Sequence, residues 1–228
     1  MPTRLPPISR LLTALAAVLL SGAFLFPLWR IDLEAPQYPE GLGLRIGIHA
    51  VEGMKPADLD NINALNHYIG MKTIAADAIP ELRLMPWILG ALLVGGLAAA
   101  VWARRGALLA WLVAFAAAGV GGLADFWRWG YAYGHDLDPH AIIHVPGMVY
   151  QPPLIGSRVL LNFTAHSWPA AGGLLLGLAF ALGVGALVLA YRRPAAAAAA
   201  AAPTACAAHV AHEPVRVTTT PAAVRVAR

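Results

Sequence analysis

Cysteine is nearly absent from this chain. Its 228 residues hold one, Cys206, which excludes an intramolecular disulfide, a CxxC redox pair, a Cys-rich zinc site and CxxCH haem attachment. Charge is scarce as well: 12% of residues are charged and 59% are hydrophobic, against about a quarter charged in an ordinary soluble domain. That balance is the balance of a membrane protein. No lysine-bearing phosphate loop and no Gly-x-Ser-x-Gly elbow occurs, so no nucleotide site is expected. The long apolar runs contain no histidine to hold haem between helices. They also lack the interior ionisable groups that a transporter or proton pump needs. The net charge of +4 does not form a nucleic-acid patch, because its distribution follows topology.

What the chain does have is four apolar runs near or above the 18–20 residues needed to cross about 30 Å of hydrocarbon. They cover residues 11–29, 84–103, 107–124 and 171–191. The first follows Arg4 and Arg10 and reads as an uncleaved anchor, since "SGAFLFPLWR" offers no small-x-small cleavage site. Nine of the sixteen basic residues lie in residues 1–10, the turn 104–106 and the tail 192–228, beside a single acid, Glu213. The two long loops, 30–83 and 125–170, hold seven basic and eleven acidic residues. The positive-inside rule then puts both termini in the cytoplasm and both loops outward, in the periplasm of a cell that has one. The tail is Ala-rich, with Pro194 and Pro203, and is expected to be disordered beyond a short extension of the fourth helix.

The fold class expected is therefore an all-α membrane protein: four transmembrane helices under a small lid built from two mixed loops. In the first loop, residues 42–51 alternate apolar and small or polar side chains, the period of a half-buried strand. Asp58 is placed to cap a short helix over 59–69, and Gly70 suits its left-handed end. His67 then lies in the last turn of that helix and Met71 just beyond it.

Six of the eight histidines, His49, His67, His135, His140, His144 and His166, fall in the two loops, with Met71 and Met148. In "HVPGM", Pro146–Gly147 suits the centre of a type II turn that folds His144 back toward Met148. Imidazole with thioether is the donor set of Cu(I), and imidazole alone also serves Cu(II) or Zn(II). His67, Met71, His135 and Met148 are the leading metal candidates, with His49, His140, His144 and His166 behind them. The competing explanations are structural. A histidine at a helix C-terminus interacts with the last carbonyls, asparagine amides tie loops together, and the many Trp and Tyr residues form an interfacial belt. A metal-free docking surface would use Asn63, Asn66, Tyr68, Tyr150 and the rigid Pro152–Pro153 pair. A third reading is a quinol-interacting subunit in which His135 and Asp125 lie near the membrane interface.

Four strings, "APQYPEGLGLRI", "LDNINALNHYIGMK", "DFWRWGYAYGHDLDP" and "VPGMVYQPPLIGSRVLLNF", resemble a group of bacterial four-span membrane proteins. These are encoded in gene neighbourhoods that assemble nitrous oxide reductase, near the NosL copper chaperone. The resemblance covers roughly residues 29–173 and leaves out the Ala-rich tail. It implies a context, the maturation of an exported copper enzyme or its electron supply, in a bacterial inner membrane with the loops in the periplasm; the role expected for the chain is non-enzymatic. The chain is not NosL itself, because no cysteine follows its first apolar run as in a lipoprotein. The strings do not require a histidine at positions 140 and 144, whereas His67, Met71, His135 and Met148 lie within them.

Overall fold

The computed structural model describes residues 4–143 and 145–200, the last eight by backbone alone. Helix α1 (Pro7–Leu19) opens with proline in its first turn, where no intrahelical N–H is needed. It continues as a 3-10 turn over Leu20–Phe24. After the lid come α3 (Glu81–Trp102), α4 (Arg105–His135) and, at the end, α5 (Ala171–Ala200). All four helices are long and apolar enough to cross a membrane. α1 packs on α3 and α5, and α4 packs on the other side of both. Small side chains make this close approach possible: Ser9, Thr13, Ala16 and Ala17 form the buried face of α1. Large apolar side chains such as Leu11, Trp87, Val101 and Leu174 point outward, as expected where lipid rather than water is the solvent.

The lid corrects the all-α expectation. It holds a five-stranded antiparallel sheet in the order β3-β2-β1-β5-β4. The strands are β1 (Trp29–Ala35), β2 (Tyr38–Ile46), β3 (Val51–Gly53), β4 (Gly156–Leu160) and β5 (Phe163–Pro169). The single strand expected over 42–51 is two strands, β2 and β3, with a hairpin between them. β1 sits at the centre. Trp29, Ile31 and Leu33 pair with Ile46, Leu44 and Leu42 on one face. Its other edge pairs residues 29–34 with residues 169–164 of the second loop. The two loops are thus one sheet.

Helix α2 (Asp58–Ile69) covers the apolar face of that sheet. Ile31, Leu42, Leu44, Val51, Ile62 and Leu82 form a second core, separate from the core of the helix bundle. The sheet stands directly on the helix ends: Ala170 N–H donates to Leu28 O at 3.0 Å and Gly172 N–H to Pro27 O at 2.9 Å.

Two further boundaries move. The third span was expected to end at residue 124, yet α4 continues unbroken to His135. Arg128 reaches back to Glu81, the first residue of α3, at 2.7 Å, so the last two turns or so of α4 project beyond the start of α3. α5 takes in residues 192–200, placed in the tail by the sequence. The rest of the tail and His144 lie outside the described residues.

Candidate functional site

The end of α2 and the end of α4 meet. α2 closes with a Schellman arrangement: Gly70 has φ +80, Met71 N–H donates to Asn66 O at 2.8 Å and Gly70 N–H to His67 O at 3.4 Å. The segment following α4 folds onto this cap. Asp138 N–H donates to Gly70 O and Ile143 N–H to Tyr68 O, both at 2.9 Å. Lys72 pairs with Asp136, and the Tyr133 hydroxyl donates to Thr73 O at 3.3 Å. A Cβ on Gly70 would stand 2.9 Å from Asp138 O, so glycine is needed there for space as well as for conformation. The chain then returns along α4, where Tyr150 N–H donates to Gly134 O at 3.0 Å.

This junction brings together the segments that carry the four leading metal candidates. His67 is exposed and Met71 half-buried in the cap of α2; His135 is exposed on the last turn of α4; Met148 is half-buried in the chain that returns along α4. The turn over Val145–Met148 has Gly147 at φ +78 and a Met148 N–H to Val145 O bond of 3.1 Å, the pattern of type II. His135 Nδ1 lies 3.0 Å from Tyr131 O. A carbonyl only accepts, so Nδ1 carries the proton and the Nε2 lone pair is left for a ligand. The ring stacks on Tyr131 at 3.8 Å between centroids, and Tyr131 in turn contacts Trp127 at 5.4 Å. Among the described residues no three His, Cys, Asp or Glu side chains gather closely enough to hold a metal without methionine.

The weaker candidates separate. His140 is exposed on the segment that covers α2, its N–H bonded to the Asp138 carboxylate at 2.8 Å. His49 is exposed in the hairpin between β2 and β3. His166 lies on β5, with Nδ1 2.6 Å from Ser157 Oγ and Nε2 3.6 Å from the Glu34 carboxylate. That places it in a cross-strand row on the sheet, away from the α2 cap.

Several docking candidates are engaged internally. Asn63 bonds the backbone of Ile74 through both ends of its amide, at 3.0 and 2.8 Å. Asn66 is buried and its amide reaches Lys72 O. Tyr150 is 2% exposed and its hydroxyl has no partner. Burial pushes its pKa up from the ordinary tyrosine value. These three therefore build the lid and do not offer a surface. Pro152 and Pro153 line a cleft of about 50 Å³ between α4 and β1, and Tyr68 alone of the six is largely exposed. Asp58 does not cap α2 either. Ala57 occupies the cap position, and Asp58 Oδ2 instead accepts the N–H groups of Gly43 and Lys55, both at 3.0 Å.

Sequence reasoning missed the aromatic ladder Trp127–Tyr131–His135. Its i, i+4, i+8 spacing is in the sequence, but it carries meaning only once residues 125–135 are helical. No protein-family profile, no curated protein and no solved structure matches this chain.

Proposed function

We propose that the chain is an integral membrane accessory protein whose lid handles copper, or helps assemble an exported copper enzyme such as nitrous oxide reductase. The observation that carries this reading is the junction of α2, α4 and the returning chain, which gathers the segments bearing His67, Met71, His135 and Met148. The His135 tautomer favours it, because Nε2 is free to donate to a soft ion. Imidazole and thioether ligands exchange readily, which suits transfer rather than storage. The charge asymmetry of the loops supports a periplasmic lid with both termini in the cytoplasm.

The test is Cu(I) competition against a chelator of nanomolar-range affinity, about −12 kcal/mol, on detergent-purified protein. Stoichiometric retention that disappears in Met71→Ala/Met148→Ala supports copper handling. Loss of all Cu(I) to the chelator from the native chain rejects it.

A second reading is a metal-free docking subunit. It rests on the exposed ladder Trp127–Tyr131–His135 together with exposed Tyr68, Ile142 and Ile143. Aromatic anchors of this kind dominate interface energetics. Its signature is capture of a membrane or exported partner that survives Met71→Ala and is lost in Tyr131→Ala.

A further inference from the structure

The sheet carries a cluster that copper handling does not use. β1, β5 and β4 lie side by side, and on the face turned away from α2 their pairing lines up Asp32, His166 and Ser157 in one row, with Glu34, Thr164 and Val159 in the next. Ser157 Oγ lies 2.6 Å from His166 Nδ1, and His166 Nε2 lies 3.6 Å from the Glu34 carboxylate. Nε2 is buried and has no hydrogen-bond partner. Three strands thus contribute a hydroxyl, an imidazole and a carboxylate in sequence.

The tautomer decides what this row can do. A proton on Nδ1 would leave the Nε2 lone pair facing a carboxylate. A proton on Nε2 faces that carboxylate instead, so this form is favoured, and Nδ1 then accepts the Ser157 hydroxyl proton. Asp32, directly across from His166, is engaged with Arg30 at 3.5 Å, which leaves Glu34 for the imidazole. Glu34 is largely exposed, so its side chain can swing the last few tenths of an ångström. Catalytic contacts are commonly long before substrate binds. A hydroxyl bonded to a base that a third group orients is the arrangement of an activated nucleophile.

The surroundings suit attack on an ester. Ser157 is exposed on β4, an edge strand of the sheet. The two-residue turn Leu161–Asn162 makes Leu160 and Phe163 a hydrogen-bonded pair, so alternate residues of β4 bond β5, while Ser157 and Val159 turn their N–H groups to the free edge. Neither N–H has another backbone partner among the described residues. Backbone donors of this kind stabilise the oxyanion of acyl transfer. Gly156, at φ +105 and with open space where a Cβ would stand, keeps the approach to Ser157 clear. Val159 lies on the same face as Ser157 and is 69% exposed, a support for a small apolar acyl group.

We propose that Ser157, His166 and Glu34 form a nucleophilic site that hydrolyses carboxylic esters of small apolar acyl groups. Ser157 Oγ attacks the carbonyl carbon while its proton passes to His166 Nδ1. The bond to the alcohol oxygen breaks, and the alcohol leaves with that proton. A water molecule then gives a proton to Nδ1 and attacks the acyl–Ser157 ester. The acid is released, and the proton returns to Ser157 Oγ. Ser157 and His166 are the catalytic residues; Glu34 is a positioning residue that acts through His166.

Two readouts on the full chain in detergent test the proposal: labelling by a fluorophosphonate probe, with the labelled peptide located by mass spectrometry, and hydrolysis of p-nitrophenyl butyrate. The native chain should be labelled at Ser157 and should turn over the ester. Ser157→Ala, a change at an exposed position, should lose both. His166→Ala should slow labelling by about a hundredfold, the usual loss when a general base is removed. Glu34→Gln should lower kcat while KM and the thermal midpoint stay unchanged, a pattern that a merely structural role would not produce. Val159→Asn should raise KM. A native chain that takes no label overturns the proposal. So does labelling at another residue, or at an equal rate in His166→Ala, either of which would make Ser157 and His166 a structural cross-strand contact only. Unchanged kcat in Glu34→Gln removes the carboxylate from the site, and unchanged KM in Val159→Asn removes the preference for an apolar acyl group.

Discussion

Asp58 is 3% exposed and its carboxylate holds two backbone N–H groups from different elements, Gly43 of β2 and Lys55 of the turn after β3. Lys55 stands 4.0 Å away at the surface. Removing the carboxylate leaves two donors without a partner, and charge-assisted bonds are the stronger kind. Asp58→Ala should therefore cost about 2–3 kcal/mol, read as a lower thermal midpoint in detergent. Asn63→Ala should cost about 1–2 kcal/mol by the same reasoning for its neutral pair of bonds to Ile74. Tyr150 goes the other way. Its hydroxyl is buried without a partner, so Tyr150→Phe should be neutral or stabilising by about 1 kcal/mol. The sign with pH follows from its raised pKa. Unfolded tyrosine ionises near ~10, while the folded group holds its proton longer. Stability is thus intact below about pH 10 and falls as pH rises through the folded value. Thermal unfolding at pH 8 and pH 10.5 should show a loss in the native chain that Tyr150→Phe reduces. An identical loss in both would show that this hydroxyl does not matter.

At the scale of elements, the apolar runs announced the four long helices because membrane-length hydrophobicity is a local signal. The sheet was only half legible. Residues 42–46 show period two plainly, yet "WRIDLEA" alternates just as well and was hidden behind the end of an apolar run. β4 and β5 pair locally as a hairpin, but they join this sheet only because β5 pairs with β1, over a hundred residues away in sequence. The extension of α4 was illegible for another reason. "DFWRWGYAYGH" carries Asp125, Arg128 and two glycines and so breaks the apolar run, yet it stays helical because Phe126 joins the core under the sheet and Tyr133 is buried. Two contacts compete as explanations for how the extension is held. The Arg128 pairs with Glu81 and Asp125 are short but largely exposed, and such pairs contribute about 0–1 kcal/mol. Gly134 lies so close to Gln151 that a Cβ would meet its backbone N at less than contact distance. Gly134→Val should therefore lift the returning chain off α4, with faster hydrogen exchange at Tyr150 and Gln151. Arg128→Ala should leave that exchange almost unchanged. The reverse ranking would make the ion pairs, not the close packing, the clamp.

Across the whole molecule, the charged residues sort by end. Every carboxylate among the described residues belongs to the sheet, α2, the segments that follow α2 and α4, or the helix ends beside them, while Arg4, Arg10, Arg104, Arg105 and Arg192 cluster at the opposite end of the bundle. This sorting was fully legible, because side assignment depends on counting Lys and Arg near the spans and not on any pairing. The meeting of His67 and Met71 with the chain after α4 was not, because it depends on hydrogen bonds such as Asp138 to Gly70, which no local pattern encodes. The orientation that follows is open to direct measurement. In a Cys206→Ala background, a single cysteine at Glu52 or His140 stands at an exposed position of the lid, and one at Arg104 stands exposed at the basic turn. A membrane-impermeant maleimide added to intact spheroplasts should label Glu52→Cys and His140→Cys, and should reach Arg104→Cys only after the membrane is opened. Labelling of Arg104→Cys in intact spheroplasts, with the other two protected, would place the lid in the cytoplasm. The lid would then lie in the compartment opposite any exported copper enzyme, and the copper-handling reading would fail along with the topology.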